Sequence, residues 1–399
     1  MKILIISQYF WPENFRINDI ALGLKELGHE VIILTGLPNY PHGKLYDGYS
    51  NDGVDEYWNG IKVYRCRIIP RGSGGLKLFL NYISFVWYGY KKVNKIEENV
   101  DRILVYEPSP ITVGLPAIHA SKKLKAPYYF WVQDLWPHSL SAAGGVNNPF
   151  VLGVFEVLTR YIYKKSKKVL VQSRGFKTYI EKQGVPSDKI LFFPNSTEEF
   201  YAKMPPSNVI NEKLPKGFII MFAGNLGEAQ SLNTLIDTAI LVKEINSDVK
   251  WCFLGDGRAK DKISKKVSDL GLNDTIFFLG SYPPSEMPIY FASADVLIAS
   301  LKDDPIFALT IPSKIQSYLA CGKPILASLN GEGAKIIEEA QCGYVSQAED
   351  SSMLAENVLK MYNISQSERE IMGSNAIQYF NQNFERNMLL RQLVDILLN

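Results

Sequence analysis

Several features that mark particular protein classes are scarce or missing in this chain. Four cysteines and four histidines occur in 399 residues, and the cysteines form no C-x-x-C pair and no metal-ligand spacing. The cysteines are therefore expected to be buried thiols of a reducing compartment, not disulfides or zinc ligands. No G-x-G-x-x-G follows the first strand pattern, where residues 7–15 read SQYFWPENF, which argues against an NAD-dependent oxidoreductase.

Long apolar runs are also missing, and no leader sequence is expected. No window approaches eighteen consecutive apolar residues, so no segment is expected to span a bilayer. Residues 2–6 (KILII) already form a strand pattern, so the chain is expected to be cytoplasmic. Residues 1–200 carry 25 Lys and Arg against 18 Asp and Glu, which suits an anionic surface or acceptor. No basic helix with base-reading side chains stands out, so nucleic acid is not an expected partner.

One pattern of short apolar strands alternating with helical stretches occurs twice. An apolar fraction of 46% is typical of a globular protein, and 399 residues suffice for two domains. The strand patterns are 2–7, 30–34, 63–69, 102–106, 127–132 and 168–173, and then 217–224, 249–255, 275–280, 295–299, 323–327 and 343–346. Such alternation predicts an α/β fold with parallel sheets covered on both faces.

The two halves predict two doubly wound Rossmann-like domains facing each other across a ligand-binding cleft. The predicted domains are 1–201 and 217–375, joined by the polar, proline-rich linker 202–216 (AKMPPSNVINEKLPK). Residues 376–399 are predicted to form a helix that packs back on the first domain.

The most informative segment is LTIPSKIQSYLACGKPILA, residues 309–327. It predicts a helix led by Pro312, a turn at residues 321–324 and a buried strand at 325–327. Proline in the first turn presets φ and sacrifices an N–H that has no partner there. Ser313 and Lys314 lie where free N–H groups and the positive end of the helix dipole attract an anion, such as the diphosphate of a nucleotide-sugar.

Glycine-containing turns follow the first strands of the second half. In AGNLGEAQS (223–231), Gly224 and Gly227 let the backbone approach a ligand, and the following helix supplies N–H groups. The turn LGDGR (254–258) follows the second strand, and a plain type I′-like turn is its alternative interpretation.

These segments resemble the donor-binding motifs of retaining, family-4 glycosyltransferases, which have the GT-B fold. The resemblance covers nearly the whole chain and is strongest at 217–231, 252–258 and 310–327. AGNLGEAQ, VQDLWPHS, PSKIQSYLACGKP and FWPENFRIN resemble bacterial transferases of O-antigen and capsule assembly, including those that move N-acetyl-fucosamine-type residues. The resemblance implies transfer from a UDP-sugar, with GDP as second choice, to an undecaprenyl-pyrophosphate-linked saccharide in lipopolysaccharide or capsular polysaccharide synthesis.

The resemblance also implies which residues bind the donor. For the diphosphate and sugar they are Gly224, Asn225, Gly227, Gln230, Thr310, Ser313, Lys314 and Ser317. For the nucleoside they are Gly255, Asp256, Gly257, Arg258, Ser281 and Tyr282.

The chain departs from the family pattern at two places. Asn225 and Gln230 stand where the family has arginine and lysine in its phosphate loop. Leu309 and Ser317 stand where many relatives have two glutamates, and Asp303 and Asp304 upstream are possible substitutes for these carboxylates, with a solvated acidic pair as the alternative.

Candidates in the first half lie just beyond two strands. Arg16 is expected to stabilise the leaving diphosphate, with a surface ion pair to Glu13 as the alternative, and Glu13 and Asn18 are expected on the acceptor side. Asp134 is placed to accept a proton from the acceptor hydroxyl, and His138 to titrate near neutrality.

The segment 76–95 (LKLFLNYISFVWYGYKKVNK) combines aromatic side chains with flanking lysines. It is either a buried helix or an interfacial helix on anionic lipid, together with the basic run 164–168 (KKSKK). The second interpretation predicts a peripheral contact with the inner face of the plasma membrane.

The resemblance implies retention of configuration without a protein nucleophile, since an oxygen of the leaving phosphate takes the acceptor proton. No D-x-D with metal geometry is present, so no metal ion or other cofactor is expected. A nucleotide-sugar 2-epimerase and a non-catalytic GT-B subunit remain as alternatives.

Overall fold

A computed structural model describes residues 1–72, 74–140 and 148–399 of the chain. These residues form two compact units: Met1–Asn195 together with Asn387–Asn399, and Ser196–Arg386. The segment 202–216, predicted as the linker, belongs to the second unit and contains a short helix.

The first unit contains an eight-stranded sheet in the order β3-β4-β2-β1-β5-β6-β7-β8. Its strands are β1 Lys2–Ile6, β2 Glu30–Gly36, β3 Glu56–Trp58, β4 Ile61–Cys66, β5 Arg102–Glu107, β6 Tyr128–Val132, β7 Lys168–Val171 and β8 Ile190–Phe192. Only β3 is antiparallel to its neighbour, β4, in this sheet. Asn59 and Gly60 join them with φ values of 49° and 73°, the conformation that a two-residue hairpin turn requires.

Helices cover both faces of this sheet because its central strands are apolar on both sides. They are α1 Arg16–Glu26, α2 Gly75–Val93, α3 Gly114–Leu124, α4 Pro149–Lys165 and α5 Arg174–Lys182.

The second unit contains a six-stranded parallel sheet in the order β11-β10-β9-β12-β13-β14. Its strands are β9 Phe218–Ala223, β10 Val249–Leu254, β11 Ile276–Gly280, β12 Val296–Ser300, β13 Ile325–Ser328 and β14 Gly343–Ser346. Its helices are α6 Asn208–Asn211, α7 Leu232–Ile245, α8 Lys260–Asp269, α9 Met287–Ala292, α10 Pro305–Ala308, α11 Ser313–Cys321, α12 Glu332–Glu339, α13 Ser351–Asn363 and α14 Gln366–Asn383. The strand order reverses at β9, so the carboxyl end of β9 is the topological switch point, where such sheets bind ligands.

The last helix, α15 (Arg386–Leu398), packs on the first unit. Leu389, Leu390, Leu393 and Leu397 are buried in the same apolar cluster as residues of α1 and β1. The sequence predicts one helix over 376–399, but α14 and α15 are separate helices, and residues 387–399 alone belong to the first unit. Both units are doubly wound α/β domains, which confirms the predicted fold class.

Candidate functional site

Three adjacent strands of the second sheet end in glycines with a left-handed backbone. Gly224, Gly255 and Gly280 lie at the ends of β9, β10 and β11 and have φ values of 131°, 139° and 87°. The Gly224 N–H donates to the Leu254 carbonyl at 2.9 Å, and the Gly255 N–H donates to the Gly280 carbonyl at 2.8 Å. The backbone therefore turns at the same level in all three strands, at the carboxyl edge of the sheet.

The loop that follows β9 is in direct contact with the turn that follows β10. The Leu226 N–H donates to the Asp256 carbonyl at 2.8 Å, and the Leu226 carbonyl accepts from the Ala259 N–H at 3.0 Å. A Cβ on Gly257 would lie 2.4 Å from the Leu226 carbonyl oxygen and 2.6 Å from Asn225 Oδ1. The predicted phosphate loop and the predicted nucleoside turn thus form one continuous surface.

The Lys314 ammonium lies against the loop that follows β9. Its Nζ donates to Gln230 Oε1 at 2.5 Å and lies 3.7 Å from the centre of the Phe222 ring. A Cβ built on Gly224 would lie 3.7 Å from this nitrogen. Burial lowers the pKa of Lys314 to about 7, because an ammonium removed from water loses its proton more easily. A negatively charged ligand beside Nζ would favour the charged form again.

Lys314 also belongs to the first turn of α11. Pro312 precedes this helix with φ −60° and ψ 127°, and its carbonyl accepts from the Ile315 N–H at 2.9 Å. The first N–H groups of a helix have no intrahelical partner, and they carry the positive end of the dipole. Ser313 and Lys314 therefore offer backbone N–H groups and a cation together, a combination that suits a phosphate group.

Two hydroxyl groups predicted to contact the donor make hydrogen bonds within the second unit. The Thr310 hydroxyl donates to the Phe307 carbonyl at 2.8 Å. Ser317 is 5% exposed, and its hydroxyl oxygen lies 3.1 Å from that of Thr197. Ser317 is therefore turned towards the interior of the unit.

Asp303 and Asp304, considered as substitutes for the missing glutamates, hold the chain after β12. Asp304 precedes α10 and accepts from the Ile306 N–H at 2.7 Å. Asp303 accepts from the Asn330 side-chain amide at 2.9 Å. The helix cap accounts for Asp304 without a ligand.

The residues predicted near the nucleoside lie beyond β10 and β11. Asp256, Arg258 and Ser281 are exposed. The Tyr282 ring packs on Tyr290, with 4.6 Å between ring centroids. Exposed polar groups thus surround the turns that the three strand-end glycines make.

In the first unit, the loop between β1 and α1 is held by two of the predicted acceptor residues. Glu13 is 1% exposed and accepts from three backbone N–H groups at 2.7 to 3.2 Å, and Arg16 is the first residue of α1. Burial raises the pKa of Glu13 to about 7. The three hydrogen bonds act in the opposite direction, because they stabilise the charged carboxylate, but the effect of burial is larger. Asn18 accepts from the Trp11 N–H at 3.1 Å and donates to the Glu13 carbonyl at 2.7 Å.

Two carboxyl groups lie at the carboxyl edge of the first sheet. Glu107 ends β5 and is paired with Val132 at the end of β6, two residues before Asp134. Glu107 is fully buried, and its carboxyl oxygens make no hydrogen bond to a described residue. Burial and then the charge of Asp134 raise the pKa of Glu107 well above its usual range, and burial raises the pKa of Asp134 to about 7. Asp134 is therefore suited to exchanging a proton near neutrality.

His138 is exposed, and its Nδ1 is hydrogen-bonded to the Tyr179 hydroxyl of α5. The two rings pack edge to face with 5.2 Å between their centroids. The histidine thus has a tyrosine partner.

Glu107 and Arg71 were not predicted as site residues. A glutamate that ends the apolar strand RILVYE beside the Asp134 strand is a signal that could have identified Glu107. The Arg71 guanidinium lies 5.1 Å from the Tyr40 ring centre, and its charge influences the pKa of the Tyr9 and Tyr82 hydroxyls. No motif in the sequence indicates this contact, because Arg71 lies in a loop.

Within residues 1–72, 74–140 and 148–399, no three or more His, Cys, Asp or Glu side chains are arranged to hold a metal ion. The four cysteines are free and buried, as predicted. Among the helices that the structure describes, none has the length and apolar character needed to cross a bilayer.

Comparisons with protein families divide the chain into the same two parts. Residues 14–196 match the family described as "Glycosyl transferase 4-like domain", and residues 206–379 match "Glycosyl transferases group 1". The chain is 26% identical over 339 residues to WcaI of Escherichia coli (strain K12), named as a colanic acid biosynthesis glycosyl transferase, covering 81% of this chain and 82% of that protein. It is 25% identical over 262 residues to WbjE of Pseudomonas aeruginosa, named as a glycosyltransferase, covering 62% of this chain and 64% of that protein.

The fold is similar to that of solved glycosyltransferases. The crystal structure of Anabaena Alr3699/HepE in complex with UDP superposes with a TM-score of 0.72 at 15% identity, over 100% of this chain and 99% of that one. At this identity the likeness establishes the fold, which is GT-B. The chain thus consists of a glycosyl transferase 4-like domain followed by a glycosyl transferases group 1 domain, and it has the GT-B fold.

Proposed function

We propose that this glycosyltransferase takes its sugar from a UDP-sugar whose diphosphate is bound by the second unit. The observation that carries the proposal is the convergence of Lys314, the first turn of α11 and the glycine loop after β9. That loop carries Asn225 and Gln230 in place of cations, so Lys314 and the N–H groups of α11 supply most of the attraction for the diphosphate. The UDP in the HepE structure supports UDP over GDP as the carrier.

Transfer is proposed to proceed with retention of configuration. The acceptor hydroxyl attacks the anomeric carbon from the face that the diphosphate leaves, while the bond between that carbon and the diphosphate oxygen breaks. A diphosphate oxygen takes the hydroxyl proton, and Lys314 with α11 stabilises the departing charge. Asp134, with Glu107 beside it, is proposed to accept a hydrogen bond from the acceptor hydroxyl, and Arg16 is proposed to stabilise the leaving diphosphate. No metal ion or other cofactor is expected to be required.

The proposed pathway is bacterial polysaccharide synthesis. The name of the E. coli relative, a colanic acid biosynthesis transferase, supports this placement. The proposed acceptor is a saccharide linked to undecaprenyl pyrophosphate, in O-antigen or capsule assembly at the inner face of the membrane. The proposed donor sugar is an N-acetylated deoxyhexosamine such as N-acetyl-fucosamine.

Thermal unfolding with UDP, GDP, NAD⁺ or no ligand at matched concentration tests the donor class. A ligand at one hundred times its Kd adds about 2.7 kcal/mol to the stability of the protein, so UDP is expected to raise Tm and NAD⁺ to leave it unchanged. A shift with GDP alone would overturn the UDP assignment, and no shift with either nucleotide would contradict a donor site here.

Turnover separates the remaining alternatives. UDP release from a UDP-sugar is expected to require an acceptor and to persist in excess EDTA. An epimer formed without acceptor would indicate a nucleotide-sugar epimerase, and UDP binding without turnover on any lipid-linked acceptor would indicate a non-catalytic subunit.

A further inference from the structure

Two helices of the first unit each expose a stripe of large apolar side chains. The α2 stripe comprises Leu76, Phe79, Leu80, Ile83 and Trp87, which are 38% to 72% exposed. The α4 stripe comprises Phe150, Val154, Val157 and Tyr161, which are 42% to 80% exposed. Spacings of three and four residues place each stripe on one face of its helix.

On each helix, the stripe lies on a different face from the residues that are buried in the core. Tyr82 and Phe85 of α2 are buried, as are Ile162 and Tyr163 of α4. Surface helices of this kind usually present polar residues opposite their buried face. A second apolar face on each of two helices therefore indicates a partner surface.

The two helices are neighbours in the first unit. Both helices pack against α3. Three aromatic rings also connect them: the ring centroid of Tyr82 in α2 lies 6.3 Å from that of Trp136, which in turn lies 5.2 Å from that of Phe155 in α4. Burial and, to a smaller extent, the nearby Tyr161 hydroxyl raise the pKa of Tyr90, so the α4 stripe approaches the carboxyl-terminal part of α2. The helices that carry the two stripes thus lie in one region of the first unit.

Each stripe ends in a lysine placed over its last aromatic ring. Lys91 Nζ lies 4.9 Å from the Trp87 ring centre, and Lys165 Nζ lies 5.9 Å from the Tyr161 ring centre. The α2 sequence contains no acidic residue. In α4 the single acidic side chain is Glu156, which is neutralised by an ion pair with Arg160, leaving the stripe with a cationic end.

The basic run 164–168 divides into two functional parts. Lys167 donates to the Asn399 carbonyl at 2.6 Å, and Lys168 donates to the Asp188 carbonyl at 2.9 Å, so both serve the fold. Lys164 and Lys165, by contrast, are exposed at the end of α4.

We propose that the α2 and α4 stripes together dock the first unit on a bilayer that contains anionic lipid. The apolar side chains enter the interfacial layer, and Lys91 and Lys165 meet the lipid phosphates. A second copy of the chain is a poorer occupant, because the two helices offer no unpaired acidic side chain to meet Lys91 and Lys165. The docking surface deepens the proposed use of a lipid-linked acceptor, and it adds the α4 stripe, which the sequence did not predict.

The test is co-sedimentation of the full chain with vesicles of phosphatidylcholine, alone or mixed with phosphatidylglycerol, without donor or acceptor. Binding is expected for the mixed vesicles and weak for the neutral ones. Phe79→Ser with Trp87→Ser, and separately Phe150→Ser with Val157→Ser, are each expected to weaken binding at least tenfold. Lys91→Gln with Lys165→Gln is expected to weaken it about 30-fold, equivalent to about 1 kcal/mol for each lysine.

Matched controls remove exposed apolar side chains elsewhere. Tyr57→Ser in the first unit and Ile371→Ser in the second, at 74% and 58% exposure, are expected to bind as the unchanged chain does. Equal binding by the stripe variants, equal binding to neutral vesicles, or lipid-free dimers that the stripe substitutions dissociate would each overturn the proposal. The rise in Tm caused by UDP is measured on the same variants as a readout of the donor site. The stripe substitutions are not expected to change this rise, so a failure of membrane binding can be distinguished from a failure of donor binding.

Discussion

At the residue scale, Lys314 supplies the charge that the loop after β9 lacks at Asn225 and Gln230. The sequence identifies Lys314 because it follows the proline that begins a helix. Its contacts with Gln230 and with the Phe222 ring come from elements distant in the chain. Its burial among these elements lowers its pKa to about 7. A lysine of this kind responds to the charge of its ligand.

The affinity for UDP is therefore expected to fall as the pH rises above about 7. The free ammonium titrates near 7, and a bound diphosphate raises its pKa, so binding takes up a proton. The affinity should decrease by up to about tenfold per pH unit until the bound pKa is reached. Titration calorimetry between about pH 7 and pH 9, in buffers of different ionisation enthalpy, measures both the affinity and the proton uptake.

Lys314→Gln should bind UDP more weakly and without this pH dependence. Lys302→Gln serves as the matched control. Lys302 is an exposed cation, and its Nζ lies 3.7 Å from Oε2 of Glu228, a residue of the loop that follows β9. An unchanged pH slope in Lys314→Gln would contradict the assignment of the proton to Lys314.

Other residues show the limits of inference from sequence at this scale. Asp134 was expected beyond a strand end, and the structure adds Glu107 as its buried neighbour. Ser317 stays a predicted hydrogen-bonding group for a ribose, and the structure adds Thr197 as the partner of its hydroxyl, which no motif indicated. Thr197 and Ser317 are 120 residues apart in the chain. The hydrogen-bond partner of the Ser317 side chain therefore cannot be predicted from the local sequence pattern.

At the element scale, the glycine turns are the most local feature of the candidate site and were recognised from the sequence. Gly224 and Gly255 end strands that pair in parallel, so their turns meet at one edge. The positive φ values explain why these positions suit glycine. The close approach of the two backbones, however, follows from the strand pairing.

Gly255→Ala is expected to destabilise the second unit by about 2–4 kcal/mol, because it combines backbone strain with a steric clash. At φ 139° its Cβ would lie 1.9 Å from the Gly224 carbonyl oxygen. Gly271→Ala is the matched control, with φ 65° and nothing within 4 Å of the added Cβ, and should cost about 1 kcal/mol. Urea unfolding of both variants measures the difference, and equal losses would show that the clash is relieved.

At the scale of the whole molecule, the chain completes its first unit with its last residues. Leu389, Leu390, Leu393 and Leu397 of α15 join the apolar cluster of α1 and β1. The Leu397 carbonyl accepts from Arg102 Nε at 2.5 Å and from the Tyr129 hydroxyl at 3.2 Å. The stability of the first unit therefore depends on residues that follow the entire second unit.

Leu393→Ala is expected to destabilise the first unit by about 2–5 kcal/mol, since the side chain is fully buried and leaves a cavity. Leu398→Ala in the same helix is the control, because Leu398 is 54% exposed and should change stability by less than about 0.5 kcal/mol. Thermal unfolding with UDP present separates the units, since UDP is expected to stabilise the second one. Equal Tm values for the two variants would contradict the packing of α15.

The sequence by itself determined the two α/β repeats, the helix led by Pro312 and the glycine turns, because hydrophobic periodicity and backbone preference act over a few residues. It also indicated the aromatic character of the α2 segment. The tertiary structure decided which of these segments meet: Lys314 with the loop after β9, Glu107 with Asp134, α15 with the first sheet, and the α4 stripe beside α2. Strand order and helix packing join residues that lie far apart in the chain, and these contacts set burial, and through burial the pKa and accessibility of each group.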